Sequence, residues 1–239
     1  MTPSPNLSVY VSADESKSTT RDEKIFRELL QAIIDRRLRP GTRLPEDSLG
    51  EAFNVSRTTI RKALQKLAQQ RLISMEHNRG ARVAQPSRKE AEDVFTARRL
   101  IEVALIPKVY ENVKSDAYKE LHTLVKQEIA AREAGKFQEE VQLSARFHVQ
   151  LAVATGNLIL GEQVAQLTSL SSLIISLYGT SASVGCDCGE HKDLLALIES
   201  GDIAKAQHWM DHHLEKIYQT INTSMDSGEE VDFKSLFSS

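Results

Sequence analysis

Three histidines in the second half of the chain have the residue type and spacing of metal ligands. His148, His191 and His213 are expected to face inward from three separate helices. A single inward imidazole is most often a hydrogen-bonded core residue. Three near one another would need three sets of partners, whereas one divalent ion binds one nitrogen of each ring. The residues alone leave both interpretations open.

The other histidines give weaker signals. His208 and His212 are four residues apart, but they share a polar helix side with Glu215 and Gln219. This placement predicts solvated rings rather than metal ligands. His122 has a similarly weak case.

A basic helix face in the first third of the chain is the second candidate site. Ser56 is suited to be an N-cap, and Ile60 and Leu64 begin one buried stripe. Arginine can bind guanine O6 and N7 in a bidentate pair, while Thr, Gln and Lys can contact base edges or phosphates in the major groove. Ser56 and the first amides of the helix can hold a phosphate. The residues outside the stripe are Arg57, Thr58, Arg61, Lys62 and Gln65.

The distribution of charge favours a polyanionic partner for this face. The whole chain has 30 Lys+Arg and 33 Asp+Glu, for a formal net charge of −3. Residues 21–88 hold 15 basic and 8 acidic side chains, whereas residues 89–239 hold 14 and 23. Ordinary solvated charges would explain a lone basic helix equally well. A basic third joined to an acidic remainder indicates that one part meets a polyanion.

The sequence before the basic helix predicts two further helices. Helical spacing of apolar residues begins near Asp22 and is broken by residues 39–41. A second helix is expected after Pro45, with Asn54 as its left-handed terminator. The third helix then begins at about Arg57.

A short hairpin is predicted after the third helix. Residues 72–76 and 81–84 flank a turn in which Asn and Gly can adopt positive φ. Three helices and a hairpin predict a winged helix-turn-helix. The hairpin tip could lie along the DNA backbone or minor groove, where a glycine allows close approach. Its candidate DNA-binding residues are Asn78, Arg79 and Gly80.

The predicted fold class is mainly α, with the N-terminal winged helix-turn-helix followed by an all-helical bundle effector domain. The helices of the second domain are expected at 90–112, 117–134, 137–154, 158–178, 188–200 and 203–223. The expected organisation is a tail over 1–20, the winged domain over 21–85, a linker over 86–89, the bundle over 90–223 and an acidic frayed tail over 224–239.

Composition excludes several classes of protein. With 239 residues, 41% of them hydrophobic, the chain suits one large or two ordinary soluble domains rather than a disordered or collagen-like one. Even the apolar stretch 170–177 is short and serine-laced, so we expect a cytoplasmic protein without a membrane span. The pair Cys186 and Cys188 could bind a metal or sense oxidation, but no second pair completes a site, and loop residues are the favoured interpretation.

Three motifs in the first domain resemble the winged helix of GntR-family transcription regulators. They are Arg39-Pro40-Gly41-Thr42-Arg43-Leu44-Pro45, Val55-Ser56-Arg57-Thr58-Thr59-Ile60-Arg61 and Asn78-Arg79-Gly80-Ala81. We include Arg43, in the first motif, among the candidate DNA-binding residues.

The second domain resembles the all-helical effector domain of the FadR-like branch, of the FCD type. The supporting pairs are Phe147-His148, Gly156-Asn157, Glu190-His191, Gly201-Asp202 and His213-Leu214. Together the two resemblances cover about residues 22–223. They imply a homodimer that binds a short palindrome and is released from it, or less often rearranged on it, by a small metabolite, commonly an organic acid.

The resemblance places metal ligands at His148, His191 and His213. The family's fourth ligand is usually an aspartate, and here that position is Ser144. An ion without the carboxylate would keep nearly its full charge and have an open position for water or an anionic effector. Three imidazoles suit Zn(II), Ni(II) or other late transition ions. In the alternative, Ser144 binds the ligand directly and no metal is present.

Several residues are candidates for binding an organic-acid effector. Arg98 matches a family arginine near the pocket, and Arg146 could also bind a carboxylate. Asn157 could add a hydrogen bond or merely terminate a helix. Arg99 is a third candidate for binding a carboxylate, and it is explained equally well as a surface charge.

The favoured function is a metabolite-responsive transcription regulator, with the helical domain shifting the spacing of two DNA-reading domains. One alternative is a metal-dependent hydrolase, because a three-histidine ion can activate water. That alternative lacks a clear general base and leaves the basic winged helix unexplained. Another is an architectural DNA-binding protein whose helical domain only dimerises.

Overall fold

The computed structural model of the chain describes residues 20–34, 37–76, 80–178 and 191–226. The candidate residues Asn78, Arg79, Cys186 and Cys188, and most of both expected tails, lie outside the described residues. The described part is mainly α-helical. A winged helix-turn-helix precedes a helical bundle, which confirms the predicted fold class.

The N-terminal domain packs three helices against a small sheet. Its core consists of fully buried side chains, among them Phe26, Leu30, Ile60, Leu64 and Leu67. These residues recur at helical spacing, so each helix presents one apolar stripe to the core. The elements are α1 (Arg21–Ile34), β1 (Arg43–Leu44), α2 (Glu46–Phe53), α3 (Arg57–Gln69), β2 (Ile73–Glu76) and β3 (Gly80–Val83).

The sheet has one strand more than the predicted hairpin. Its antiparallel order is β1-β3-β2, with Leu44 opposite Ala81 and Ile73 opposite Val83. A two-residue strand has no alternating pattern to detect, so sequence periodicity missed β1. Leu44 is nearly fully buried and closes one side of the core. The left-handed terminator predicted at Asn54 is confirmed, with a φ of 50°.

The second domain contains the six helices that the breaks in the sequence predict, within a few residues at each end. Residues 188–190 of the predicted fifth helix lie outside the described residues. Phe147, Leu173, Leu194 and Met210 are fully buried in the bundle core. The helices are α4 (Arg88–Glu111), α5 (Asp116–Glu133), α6 (Phe137–Ala154), α7 (Leu158–Tyr178), α8 (His191–Glu199) and α9 (Ile203–Asp226).

The junction between the domains is shorter than the expected linker at 86–89, because α4 already begins at Arg88. The hydroxyl of Ser87 accepts a hydrogen bond from the Glu90 backbone N–H at 3.3 Å. The Glu90 carboxylate accepts one from the Ser87 backbone N–H at 2.8 Å. This reciprocal capping box fixes the helix start.

Helix α7 is more apolar than the sequence analysis expected. By length and composition, its stretch Leu158–Ile175 could cross a membrane, but 61% of that stretch is buried inside the protein. Its serines do not make it polar, since Ser169 and Ser171 donate their hydroxyl groups to carbonyls of the same helix. The core helix of a soluble protein passes the same test, so the stretch is weak evidence for a membrane span.

A proline inside α4 is compensated from another helix. Pro107 lacks a backbone N–H, so the carbonyl of Val103 loses its usual helical donor. The side-chain amide of Gln207, on α9, donates to that carbonyl at 3.1 Å. Helix α9 therefore supplies the hydrogen bond that the proline removes.

We predict that Gln207→Ala lowers the free energy of unfolding by about 1–3 kcal/mol, because it leaves the half-buried carbonyl unsatisfied. Chemical denaturation would measure the change, with Gln127→Ala on an exposed face of α5 as the matched control. In a Pro107→Ala background the backbone N–H returns, so Gln207→Ala should destabilise much less. An equal loss in both backgrounds would contradict this account.

Candidate nucleic-acid interface and metal centre

Helix α3 exposes the residues predicted to contact DNA. The hydroxyl of Ser56 accepts a hydrogen bond from the Thr59 backbone N–H at 3.3 Å, which confirms the predicted N-cap. Ile60, Leu64 and Leu67 are fully buried on the opposite side. One surface of α3 therefore presents hydrogen-bond donors to solvent. Its exposed residues are Arg57, Thr58, Arg61, Lys62 and Gln65.

The predicted wing is described only in part. Gly80, at the start of β3, has a φ of +78° and is exposed. A side chain there would be strained by the backbone conformation, although it would meet open space. Arg43 is exposed on β1, directly opposite Arg82 of β3. Cationic side chains thus lie on the sheet as well as on α3.

Lys66 fastens α3 to α1 instead of facing outward. Its ammonium group lies 2.8 Å from an Asp22 carboxylate oxygen and 2.9 Å from one of Glu23. Burial opposes its charge, but these hydrogen bonds outweigh burial and raise the pKa of Lys66. The ion pairs therefore attach α3 to α1.

The bundle brings the three predicted metal ligands together. His148 on α6, His191 on α8 and His213 on α9 are all nearly fully buried. One ring nitrogen from each lies within 4.8 Å of the other two. Zinc binds imidazole nitrogen at about 2.0–2.1 Å, so small ring movements would bring all three within bonding distance of one ion.

Two buried glutamates orient two of these rings. The Nδ1 atom of His148 lies 2.6 Å from a Glu102 carboxylate oxygen, and Nδ1 of His191 lies 2.6 Å from one of Glu128. An ionised carboxylate only accepts hydrogen bonds, so each Nδ1 carries the proton and donates it. The Nε2 atoms of both rings are buried and lack a hydrogen-bond partner in the described structure. They are left as lone-pair donors of the kind that a metal needs.

The electrostatics of the cluster favour neutral His148 and His213 rings and ionised carboxylates. Burial opposes ionisation of Glu102, but the charge of Arg98 and the hydrogen bonds from Arg98 and His148 outweigh it and lower its pKa to about 2. Burial also lowers the pKa of His148 to about 4, despite the opposing effect of Glu102. Desolvation, with His191 and His148 nearby, holds the pKa of His213 well below its usual value. Neutral imidazole is the form that binds a metal.

Aromatic rings enclose the cluster. Phe147 stacks on His191 with ring centroids 4.1 Å apart, and Trp209 stacks on His213 at 4.8 Å. Stacking restrains the ring planes of both histidines and keeps bulk water from their faces. The histidines are therefore held in position before any ligand arrives.

A small polar cavity of about 20 Å³ adjoins the cluster. Arg98, almost fully buried, donates from Nε to Glu102 at 2.6 Å and from Nη1 to the Ser171 hydroxyl at 3.0 Å. Its Nη2 atom and the Thr168 hydroxyl oxygen are buried without a hydrogen-bond partner among the residues that the structure describes. Ser144 also lines the cavity. The cavity therefore has room for water or an ion beside a buried guanidinium donor.

Two predicted effector-binding residues do not reach this cavity. Arg146 is half-buried on α6 and lies outside the cavity lining. Asn157 is exposed, and its side-chain oxygen accepts a hydrogen bond from the Leu160 backbone N–H at 3.2 Å. Asn157 therefore caps the start of α7, a role that differs from both a contact with the effector and the termination of a helix. Arg99 is paired with Asp211 at 2.8 Å.

The weaker histidine candidates lie apart from the cluster. His208 and His212 are exposed on α9, with ring centroids 6.4 Å apart. His122 is about half-exposed and lies 2.7 Å from a Glu199 carboxylate oxygen. The exposure of His208 and His212 agrees with the prediction that these two rings are solvated.

Glu102, Glu128 and the polar wall formed by Thr168 and Ser171 were not among the residues predicted from the sequence. A detectable signal existed for Glu128, which interrupts a buried stripe through Leu121 on α5. A carboxylate in an apolar stripe requires a partner, but the stripe does not reveal which one.

Family models match both domains. The model described as bacterial regulatory proteins, gntR family, matches residues 21–83, and the FCD domain model matches residues 93–216. The repressor RspR of Escherichia coli K12 is 22% identical over 201 residues, spanning 84% of this chain and 88% of its own. The repressor GlaR of the same strain is 27% identical over 199 residues, spanning 79% and 90%.

Solved structures share the fold. A putative GntR regulator from Rhodococcus sp. RHA1 has a TM-score of 0.74 and 22% identity, covering 84% of this chain and 97% of its own. McbR/YncC of E. coli has a TM-score of 0.70 and 20% identity, covering 88% and 99%. The FCD match alone spans more than half of the chain. The gntR match precedes it, as the winged helix-turn-helix precedes the helical bundle in the structure. The chain therefore belongs to the GntR family of bacterial transcription regulators, with an FCD effector domain.

Proposed function

We propose that the protein is a cytoplasmic, metabolite-responsive repressor that binds a palindromic operator as a homodimer. The observation that carries the proposal is the exposed basic face of α3, joined in one chain to a bundle with three buried histidines beside a polar cavity. The relatives RspR and GlaR are both named repressors, which supports the sign of regulation. A small organic acid is the proposed effector.

The exposed basic face of α3 described above, from here on the recognition face, supports a base-reading role for this helix. Arg57 and Arg61 lie four residues apart at the exposed N-terminal end of the helix, the end that a helix-turn-helix inserts into the major groove. Thr58, Lys62 and Gln65 surround them and can contact phosphates or base edges. Arg43 and the wing residues are proposed to contact the backbone. Two copies related by a twofold axis would match two half-sites.

We predict that Arg57→Ala and Arg61→Ala each weaken binding to the operator by about 1–3 kcal/mol, because each loses a bidentate contact with a base. A mobility-shift titration with duplexes from upstream of the gene would measure this. Lys24→Ala removes the same charge from an exposed position of α1 and is the matched control. Unchanged sequence preference in both α3 variants would contradict the assignment.

The histidine cluster supports a divalent transition metal, with Zn(II) or Ni(II) the best matches for three imidazoles. His148, His191 and His213 would hold the ion, and Glu102 and Glu128 would orient two of the rings. Ser144 replaces the carboxylate that the resemblance to FCD domains implies, so the ion would supply a strongly electrophilic site for an anionic oxygen. The buried, unpartnered Nε2 atoms of His148 and His191 fit this role.

We predict that Glu128→Gln lowers the affinity for Zn(II) about 10- to 100-fold. A neutral amide accepts the Nδ1 hydrogen bond of His191 more weakly than a carboxylate, so Nε2 becomes a weaker metal ligand. Competition with a chromogenic chelator would measure the affinity. Glu133→Gln, on an exposed position of the same helix, is the matched control. Failure of the parent protein to retain Zn(II) or Ni(II) supplied in excess would contradict the metal site.

The cavity supports a small oxyanion or organic acid as the effector. Arg98 Nη2 and the Thr168 hydroxyl, both buried, could bind carboxylate oxygens beside the histidines. A volume of about 20 Å³ admits water or an ion but not several carbon atoms. A larger organic acid is proposed to separate the helices that line the cavity, and that movement is the proposed link to DNA affinity.

We predict that organic acids that bind raise the melting temperature, and that chelation of the metal abolishes the rise. A thermal-shift screen of organic, sugar and amino acids with and without chelator would measure both effects. Thr168→Val should weaken the response, whereas Thr220→Val on a half-buried position of α9 should leave it intact. Equal shifts with and without chelator would contradict a shared site for ion and effector.

The hydrolase alternative is not favoured. The relatives RspR, GlaR and LutR are all named transcription regulators. Glu102 and Glu128, the carboxylates nearest to the histidines described above, are both engaged by ring Nδ1 atoms. Neither is placed to remove a proton from water at the metal position.

A further inference from the structure

Two acidic residues at the start of α2 hold the arginines of the recognition face. Arg61 donates from Nε and from Nη2 to the two carboxylate oxygens of Glu46, each at 2.8 Å. Arg57 forms an ion pair with the adjacent Asp47. The side chain of Glu46 is 24% exposed, whereas that of Arg61 is 61% exposed. The carboxylate is thus the anchored partner, and the guanidinium extends from it into solvent.

The geometry of the Arg61 pair leaves a defined edge of the guanidinium available. A guanidinium carries five N–H donors, and the fork with Glu46 uses one from Nε and one from Nη2. The terminal edge keeps one donor on Nη1 and one on Nη2, side by side. Two parallel donors of this kind match O6 and N7 of guanine. Glu46 therefore fixes the rotation of the Arg61 group without occupying the edge that recognises a base.

The charge of Glu46 has a second consequence. Binding to unrelated DNA depends almost wholly on attraction between basic side chains and phosphates. A carboxylate beside Arg61 reduces that attraction at every sequence, while a correctly oriented guanidinium gains hydrogen bonds only at the correct base. A fixed negative charge can therefore improve discrimination even where it lowers overall affinity.

We propose that Glu46 is a positioning residue for sequence recognition: it orients Arg61 for a guanine and suppresses binding to non-cognate DNA. The inference rests on the proposed contact between α3 and DNA bases. An exposed ion pair adds little to folding stability, so its contribution lies in the bound complex and not in the fold.

The test compares two glutamate variants of α2 on two duplexes. One duplex is obtained by selection with the wild-type protein from a random-sequence pool, and the other is a shuffled version of it. The discrimination ratio is the dissociation constant for the shuffled duplex divided by that for the selected duplex. Glu46→Gln should lower this ratio about tenfold, chiefly through tighter binding to the shuffled duplex. Glu51→Gln removes the same charge from an exposed position of the same helix and should change the ratio little.

A double-mutant cycle separates positioning from a purely structural role. If Glu46 acts through Arg61, then adding Glu46→Gln to Arg61→Ala leaves the ratio of the Arg61→Ala protein unchanged. An equal fall in both backgrounds would overturn the proposal, as would equal ratios for Glu46→Gln and Glu51→Gln. Melting temperatures of all variants would verify folding. Failure of the wild-type protein to enrich any duplex would instead contradict the DNA-binding role of α3, which is a separate outcome.

Discussion

The buried chain of contacts from Arg98 through Glu102 to His148 is the constraint around which the bundle is organised. Two charged groups have been removed from water there, and such burial is tolerated only when each charge meets an opposite one with good geometry. Both contacts on Glu102 are 2.6 Å long. The contact between Glu102 and His148 joins α4 to α6, and the contact between Arg98 and Ser171 joins α4 to α7. The same contacts set the tautomer of a candidate metal ligand, so folding and site construction share one set of interactions.

In the N-terminal domain, the cationic side chains of α3 are exposed while the helix itself is anchored in the core. Apolar burial at Ile60, Leu64 and Leu67 holds α3 in the core. Ion pairs from Lys66 to Asp22 and Glu23 also attach α3 to α1. The remaining surface can then be strongly basic without loss of structure, because repulsion among exposed cations is weak in water compared with apolar burial.

Local patterns in the sequence predict the helices of this protein well and the contacts between them poorly. The stripe beginning at Ile60, the N-cap at Ser56 and the terminator at Asn54 are properties of one segment each, and all three are confirmed. Periodicity likewise predicts three inward histidines. It cannot pair His148 with Glu102, 46 residues earlier, or His191 with Glu128, 63 residues earlier, because those contacts depend on how helices pack. The start of a helix is likewise a local property. Ser87 and Glu90 form the capping box that starts α4 at Arg88, within the expected linker.

The small volume of the cavity bears on how the two domains are connected. A ligand shifts a conformational equilibrium only by its difference in affinity for the two states. The proposed organic-acid effector is larger than a cavity of about 20 Å³, so its binding would draw on movement of lining helices such as α7. That helix ends at Tyr178, whose hydroxyl donates to the carbonyl of Pro86 at 2.9 Å, immediately before the cap of α4. Because the junction is bonded to α7 and continuous with α4, a change in the spacing of these two helices cannot leave the junction unchanged.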